Sequence, residues 1–265
     1  MIPAIVFVAF LVACQEADSP KTQQLTVEQR ESAIESAMEL INSNSTVEAL
    51  AITSMLIKKD FDSAESQEIH ALALISEAGR LLSTGDIARA KEKQLEALQA
   101  YIIACKQSNS PELLQLSTAQ LAHMLQEYST AIQYYILAHE NVPDDFRASF
   151  FLAQIYMLNK DWEEAKRWIS ASLVRNQTEP TAILSLSLIE AELGNSLTAI
   201  ELAKKGCQLN PNDPKLRFIQ AKVLRLSGHP VQAIEILLRL PSTIKEDSLY
   251  QDEFQKCIDL TKGKE

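Results

Sequence analysis

The side chains able to act as nucleophiles or metal ligands are few in this 265-residue chain, and they lie far apart. Cysteines stand at 14, 105, 207 and 257, and histidines at 70, 123, 139 and 229. A zinc site needs closely spaced ligand pairs, and no CxxC, CxxH or HExxH spacing occurs. GxSxG and a glycine-rich phosphate loop are also missing, and the acids fall where solvated helix faces would carry them. The sequence therefore predicts no enzyme, no metal and no cofactor. Cys105, Cys207 and Cys257 read as small buried hydrophobes on helices. Cys14 differs, because it ends the apolar stretch Met1 to Ala13 and is followed at once by polar residues. A dozen apolar residues are too few to span a bilayer but fit the core of a signal peptide. A short buried helix or strand is the other reading.

Leu11-Val12-Ala13-Cys14 resembles the lipobox of bacterial lipoproteins, where small residues fit the signal peptidase and the cysteine thiol takes a diacylglycerol. That resemblance implies a lipoprotein signal peptide over 1–13 and a mature N-terminus at Cys14. It also implies a bacterial cell envelope location, with palmitate-type chains as the only hold on the membrane. By the enterobacterial sorting rule, Gln15 in place of Asp implies the outer membrane, facing the periplasm. One departure is that no Lys or Arg precedes the apolar run, and a start upstream of Met1 would account for it. Residues 14–26 are polar, contain Pro20 and show no apolar period, so they read as a flexible tether with a reach of roughly 20 Å.

The formal charge of −10 is unevenly spread. Residues 14–111 carry fifteen acids against nine bases, residues 112–213 thirteen against seven, and residues 214–265 seven against nine. An acidic body lacks the basic footprint that nucleic acid or anionic lipid requires, so neither is an expected partner. Between 214 and 240 the balance reverses, with five bases against the single acid Glu235. Lys215, Lys222 and Arg225 recur there at spacings of seven and three, along one helix face with Phe218 between them. Such a stripe is either a solvated face balancing the acidic body or the charged end of a binding groove.

The elements that position these residues are written in alanine. Six times a small residue is followed twelve positions later by an alanine: Ala37 and Ala49, Ala78 and Ala90, Ala119 and Ala131, Ala153 and Ala165, Ser187 and Ala199, Ala221 and Ala233. The last four second members lie 34 residues apart. Self-similarity at that period marks stacked helical hairpins, and small residues are required where paired helices approach closely. Scarce glycine and abundant Ala, Leu, Glu, Gln and Lys favour helix nearly throughout. Helix is expected from about Thr26, which can cap the first turn, and Ser45-Thr46-Val47-Glu48 reads as a capping box. The repeats fall at 30–63, 71–104, 112–145, 146–179, 180–213 and 214–247. Two gaps of seven residues, 64–70 and 105–111, can lengthen a flanking helix by about two turns without rotating its packing stripe. Ser110-Pro111 offers a cap and a first-position proline for the helix that follows. Residues 248–265 carry the stripe Leu249, Tyr250, Phe254, Cys257 and Ile258, as expected of a capping helix and tail.

Leu152, Ala153 and Tyr156 with Ala165, and the turns Asn210-Pro211-Asn212-Asp213-Pro214 and Val142-Pro143-Asp144-Asp145, resemble the tetratricopeptide repeat family. The likeness is strong over 112–240 and weaker over 30–104. The family's first-helix tryptophan is replaced by Leu74, Gln115, Ser149, Ile183 and Arg217. The resemblance implies an all-α, right-handed superhelical solenoid of about six repeats over 27–247, with a capping helix. It also implies a protein or peptide partner bound along the concave face of the first helices. Carried over by position, the groove residues are Leu116, Gln120, Arg147, Phe150, Gln154, Met157, Leu184, Leu188, Lys215, Phe218, Lys222 and Arg225. The partner expected is an acidic or C-terminal segment with an apolar side chain. Three functions fit: a lipid-anchored scaffold or assembly factor, like the pilotin-like tetratricopeptide lipoproteins; an accessory subunit of an envelope enzyme; or a soluble chaperone-like adaptor. The last lacks the Lys and Asn pattern by which chaperone-tail binders of the family clamp a carboxylate.

Overall fold

In the computed structural model the described residues are 25–107 and 113–262, and among them every regular element is an α-helix. They are α1 (Val27–Asn42), α2 (Thr46–Lys59), α3 (Ala64–Ser83), α4 (Ile87–Cys105), α5 (Leu114–Met124), α6 (Tyr128–Asn141), α7 (Phe146–Leu158), α8 (Trp162–Arg175), α9 (Pro180–Glu192), α10 (Ser196–Leu209), α11 (Pro214–Leu226), α12 (Pro230–Leu238), the single turn α13 (Ser242–Lys245) and α14 (Ser248–Lys262). The lipobox, the tether up to residue 24 and Ser110-Pro111 lie outside the described residues.

Six hairpin turns are built alike. Asn44, Gly85, Gln126, Lys160, Gly194 and Gly228 all have a positive φ of 59 to 85°, and each is the fifteenth residue of its repeat. At each, the next residue's N–H reaches back to a carbonyl five residues earlier, as in Asp86 to Leu81 at 2.9 Å, Asp161 to Tyr156 at 2.9 Å and His229 to Leu224 at 2.8 Å. This is the Schellman closure, which satisfies carbonyls that a helix end leaves orphaned. Starts are fixed as locally. Asp86, Asp145, Asp161 and Asp213 accept from backbone N–H groups of the first turn, and Pro180, Pro214 and Pro230 open helices where no donor is needed. Thr26 and Gln29 form a reciprocal capping box. Ser45 does not: it is the N-cap residue of α2, yet its side chain makes no cap bond and meets Ser43 Oγ at 3.4 Å instead. Ser45 stands at ψ 64° after its Schellman turn; from a similar backbone, at ψ 70°, Asp86 still caps with its longer carboxylate.

All twelve residues of the small-residue pairs are at most 1 % exposed. The chain forms two units, Met1–Tyr134 and Tyr135–Glu265, with the division inside α6. In the first, α1 packs on α2 and α3 on α4, and residues 64–70 form the first two turns of α3. In the second, α7 pairs with α8, α9 with α10 and α11 with α12, and α9 and α11 lie against each other.

The last helix keeps the period. Phe146, Pro180, Pro214 and Ser248 open α7, α9, α11 and α14 at 34-residue intervals. Tyr250 and Cys257, third and tenth in α14, are buried like Leu216 and Val223 in α11. Its eighth residue, Gln255, is exposed, whereas Ala221 at the eighth place of α11 is sealed. The eighth place is small where a second helix covers it, so α14 is a first helix standing without its second.

Candidate functional site

The face expected to bind is spread over the first helices, and the units differ in what it carries. In the first unit, Gln120 of α5 is exposed but Leu116 is only 5 % exposed. Seven of the eleven residues of α5 are buried, so Leu116 belongs to the core and not to a groove.

In the second unit, Phe150, Gln154 and Met157 of α7 are half-buried along one stripe. Phe150 meets Phe151 edge-on at 5.5 Å, which fixes its ring. Leu188 of α9 and Leu226 of α11 are half-buried and rest on one cluster that includes Ala191, Leu216 and Val223. Leu184 departs from expectation, being fully buried. Its partner on α10 is Gly206, where even a Cβ atom would stand 2.8 Å from Leu184 Cγ. With no side chain opposite, Leu184 sinks between the helices and leaves the face.

The basic residues divide into two held and two free. Arg147 is locked onto its own cap, with Nε 2.9 and 3.0 Å from the Asp145 carboxylate oxygens, and this guanidinium holds the Asp145 carboxyl below its ordinary range. Arg225 forks onto Glu253 of α14 at 2.5 and 3.1 Å, with both side chains nearly buried. Arg225 is therefore a tie between α11 and α14, and Phe218 packs into the same cluster as Tyr250 and Phe254. A bidentate pair in this setting is strong and directional. Lys215 is exposed and Lys222 half-buried, and among the described residues neither makes an ion pair. Sequence reasoning missed Glu253. The step of 34 from Pro214 to Ser248 was the available signal, because it sets α14 beside α11 as the next first helix. Leu249 and Leu260, 67 and 45 % exposed, occupy on α14 the places of Lys215 and Leu226 on α11 and extend the same face.

The three cysteines among the described residues are set in unreactive surroundings. Burial raises the thiol pKa values of Cys105 and Cys207 and pushes Cys257 up to about 11, which keeps these sulfurs protonated and unreactive at neutral pH. Among the described residues no three His, Cys, Asp or Glu side chains gather as a metal site, and no helix is long and apolar enough to cross a membrane.

No protein-family model and no curated protein matches this sequence. Solved structures do. PilF of Pseudomonas aeruginosa superposes with a TM-score of 0.57 over 85 % of this chain and 96 % of its own, at 16 % identity. A tetratricopeptide repeat protein of Parabacteroides merdae gives 0.61 over 88 % and 91 %, at 18 % identity. YrrB, a tetratricopeptide repeat protein with an unusual peptide-binding site, gives 0.56 over 84 % and 98 %, at 18 % identity. At such identities the likeness establishes the fold: an all-α helical-repeat solenoid of the tetratricopeptide type.

Proposed function

We propose that this chain is a non-enzymatic, lipid-anchored protein-interaction scaffold or assembly factor of a bacterial cell envelope, whose second unit binds a protein or peptide along its first helices. One observation carries the binding: half-buried Phe150, Met157, Leu188 and Leu226 share the first-helix face with two lysines, Lys215 and Lys222, that form no ion pair among the described residues. Apolar side chains left partly open beside unpaired cations suit an acidic or C-terminal segment that brings an apolar anchor. The peptide-binding site of YrrB, on the same fold, supports this use of the architecture. Support for the anchor comes from the sequence, where the apolar run ends in Leu-Val-Ala-Cys before a polar tether. Two or more acyl chains would hold the protein stably at a membrane, whereas one is marginal.

The test joins both parts in cells. A photo-crosslinking residue at Gln154 should trap a partner in the membrane fraction of the wild-type chain, and wild-type protein should incorporate labelled palmitate. Cys14→Ser should lose the label and leave the membrane. A wild-type chain without label that fractionates as soluble would favour the soluble adaptor instead, and absence of any crosslink at Gln154 would remove the face from the binding surface.

A further inference from the structure

The first-helix face of the second unit changes sign within one helix step. On α11 it carries exposed Lys215 and half-buried Lys222, and neither forms an ion pair among the described residues. One 34-residue step on, the fifth, ninth and twelfth residues of α14 are Asp252, Lys256 and Asp259, all exposed and spaced to share one helix face. Lys256 is already engaged by Asp252 at 2.5 Å. Asp259 accepts from the neutral Gln255 amide at 2.8 Å, so its charge is left uncompensated among the described residues. The two helices are held in register by contacts that add no net charge: the Arg225 fork onto Glu253, the Tyr250 hydroxyl donating to the Leu237 carbonyl at 3.2 Å, and Phe218 packed in one cluster with Tyr250 and Phe254. On the other side, α9 lies against α11, and its half-buried Leu188 rests on the cluster that includes Leu216 and Val223. Along the series α9, α11, α14 the face is therefore apolar, then cationic, then acidic on balance.

We propose, building on the binding role of the second unit, that its partner is an extended segment of mixed charge, with an apolar side chain over α9, a carboxylate over α11 and a cation over α14. Packed helices lie about 8–10 Å apart and an extended chain advances about 3.3 Å per residue, so one helix step spans about three residues. The recognised pattern is thus apolar-x-x-acid-x-x-base. The carboxylate is drawn to the ammonium groups of Lys222 and Lys215, and the cation to Asp259 and to Asp252, which it shares with Lys256. A second acid in the last place would face the two aspartates and be repelled. The aspartates of α14 therefore select among acidic segments, rejecting a long acidic run and keeping a lone acid followed by a base. Because both aspartates are exposed, the preference weakens as salt rises.

The test titrates the full chain at low salt with three labelled peptides, capped at both ends: Leu-x-x-Glu-x-x-Lys, Leu-x-x-Glu-x-x-Glu and Leu-x-x-Lys-x-x-Glu, with x a neutral polar residue. The first and third have the same composition and net charge. By fluorescence anisotropy the first should bind about fivefold more tightly than the second, and the third should be the weakest. In the double variant Asp252→Lys, Asp259→Lys, whose changes lie on the exposed side of α14, the order of the first two should reverse. A wild type that binds the second peptide as tightly as the first, or a double variant that keeps the wild-type order, would overturn the proposal and leave the binding face standing. Binding of none of the three, or equal binding of the first peptide by wild type and Lys222→Glu, would remove the face itself and the proposal with it.

Discussion

The two units solve one packing problem by different means. In the second, small residues meet small residues at a fixed interval, and the helices touch through Ala153, Ala165, Ala199, Ala221 and Ala233, all fully buried. In the first, the interval slips by seven residues, and polar side chains gather where it slips. Ser66, Gln67 and His70 lie in or beside the extra turns of α3, and each reaches back: Ser66 Oγ donates to Asp60 at 3.0 Å, Gln67 donates to the Phe61 carbonyl at 2.9 Å, and His70 Nδ1 meets Thr53 Oγ1 at 2.9 Å. Arg30 of α1 joins the same Asp60. A little further along α3, buried Glu77 takes the Thr46 hydroxyl and both forks of Arg80. A regular ladder is held by shape; an interrupted one needs directed bonds to fix the register of the added turns.

The largest expected effect breaks the ladder of shape. Gly206→Val forces side-chain atoms into fully buried Leu184 and should cost about 1–3 kcal/mol, and Ala199→Leu should do the same. Melting should fall by several degrees, since roughly 2–4 °C accompany each kcal/mol in a chain of this size. Adding Leu184→Ala to Gly206→Val should recover part of the loss, and a double-mutant cycle measures how much. An unchanged melting temperature for both single variants would show that these positions are not the close approach described.

Next comes the polar clamp of the first unit. Arg80 and Thr46 bonds hold the Glu77 carboxyl down at about 2, against an ordinary 4.5. Because the folded value is depressed, the stabilisation is fully present above pH 4.5 and is lost as pH falls from there towards 2. Its size is on the order of 2 kcal/mol once the water reaching Arg80 is allowed for. Protection factors of α2 and α3 amides, with the intrinsic pH dependence of exchange divided out, should therefore fall on acidification, and Glu77→Gln should have lower protection at neutral pH with a shallower acid limb. Equal acid sensitivity in wild type and Glu77→Gln would assign the effect to other acids.

A smaller effect compares turns. Lys160 adopts φ 59°, a region that suits glycine, and Lys160→Gly should gain about 0.5–1 kcal/mol. Asn44→Gly in the first unit, at φ 61°, should gain less, because asparagine tolerates this conformation better than lysine does. Parallel denaturant titrations would measure both.

The sealed small residues were legible in the sequence because each pair depends on residues within one hairpin. The depth of a side chain was not. Leu184 and Phe218 hold the same place in successive repeats, yet Leu184 vanishes into the core because its partner 22 residues on is Gly206, while the corresponding partner of Phe218 is Leu240. Charge partners escaped for a similar reason. Arg225 reads as a free base on its own helix, and only the arrival of α14 brings Glu253 to it from 28 residues away. Leu116 failed because buried residues, Gln115 and Thr118 among them, run round most of α5, so side-chain polarity does not mark which face is wet. In the first unit, the polar residues of 60–70 look like those of any surface helix until the added turns lie against the preceding ones.

The central claim is that the second unit, through Lys215, Lys222 and the apolar stripe beside them, is the binding surface. Fluorescence anisotropy against a set of short peptides, acidic with an apolar anchor and a free carboxylate, together with amidated and lysine-substituted counterparts, tests it directly. The acidic peptides should bind, more weakly as salt rises. The double variant Lys215→Glu, Lys222→Glu should lose affinity by about tenfold or more, while Arg89→Glu on α4 of the first unit leaves it unchanged. Equal affinity of wild type and double variant at low salt, with helicity intact by circular dichroism, would contradict the account.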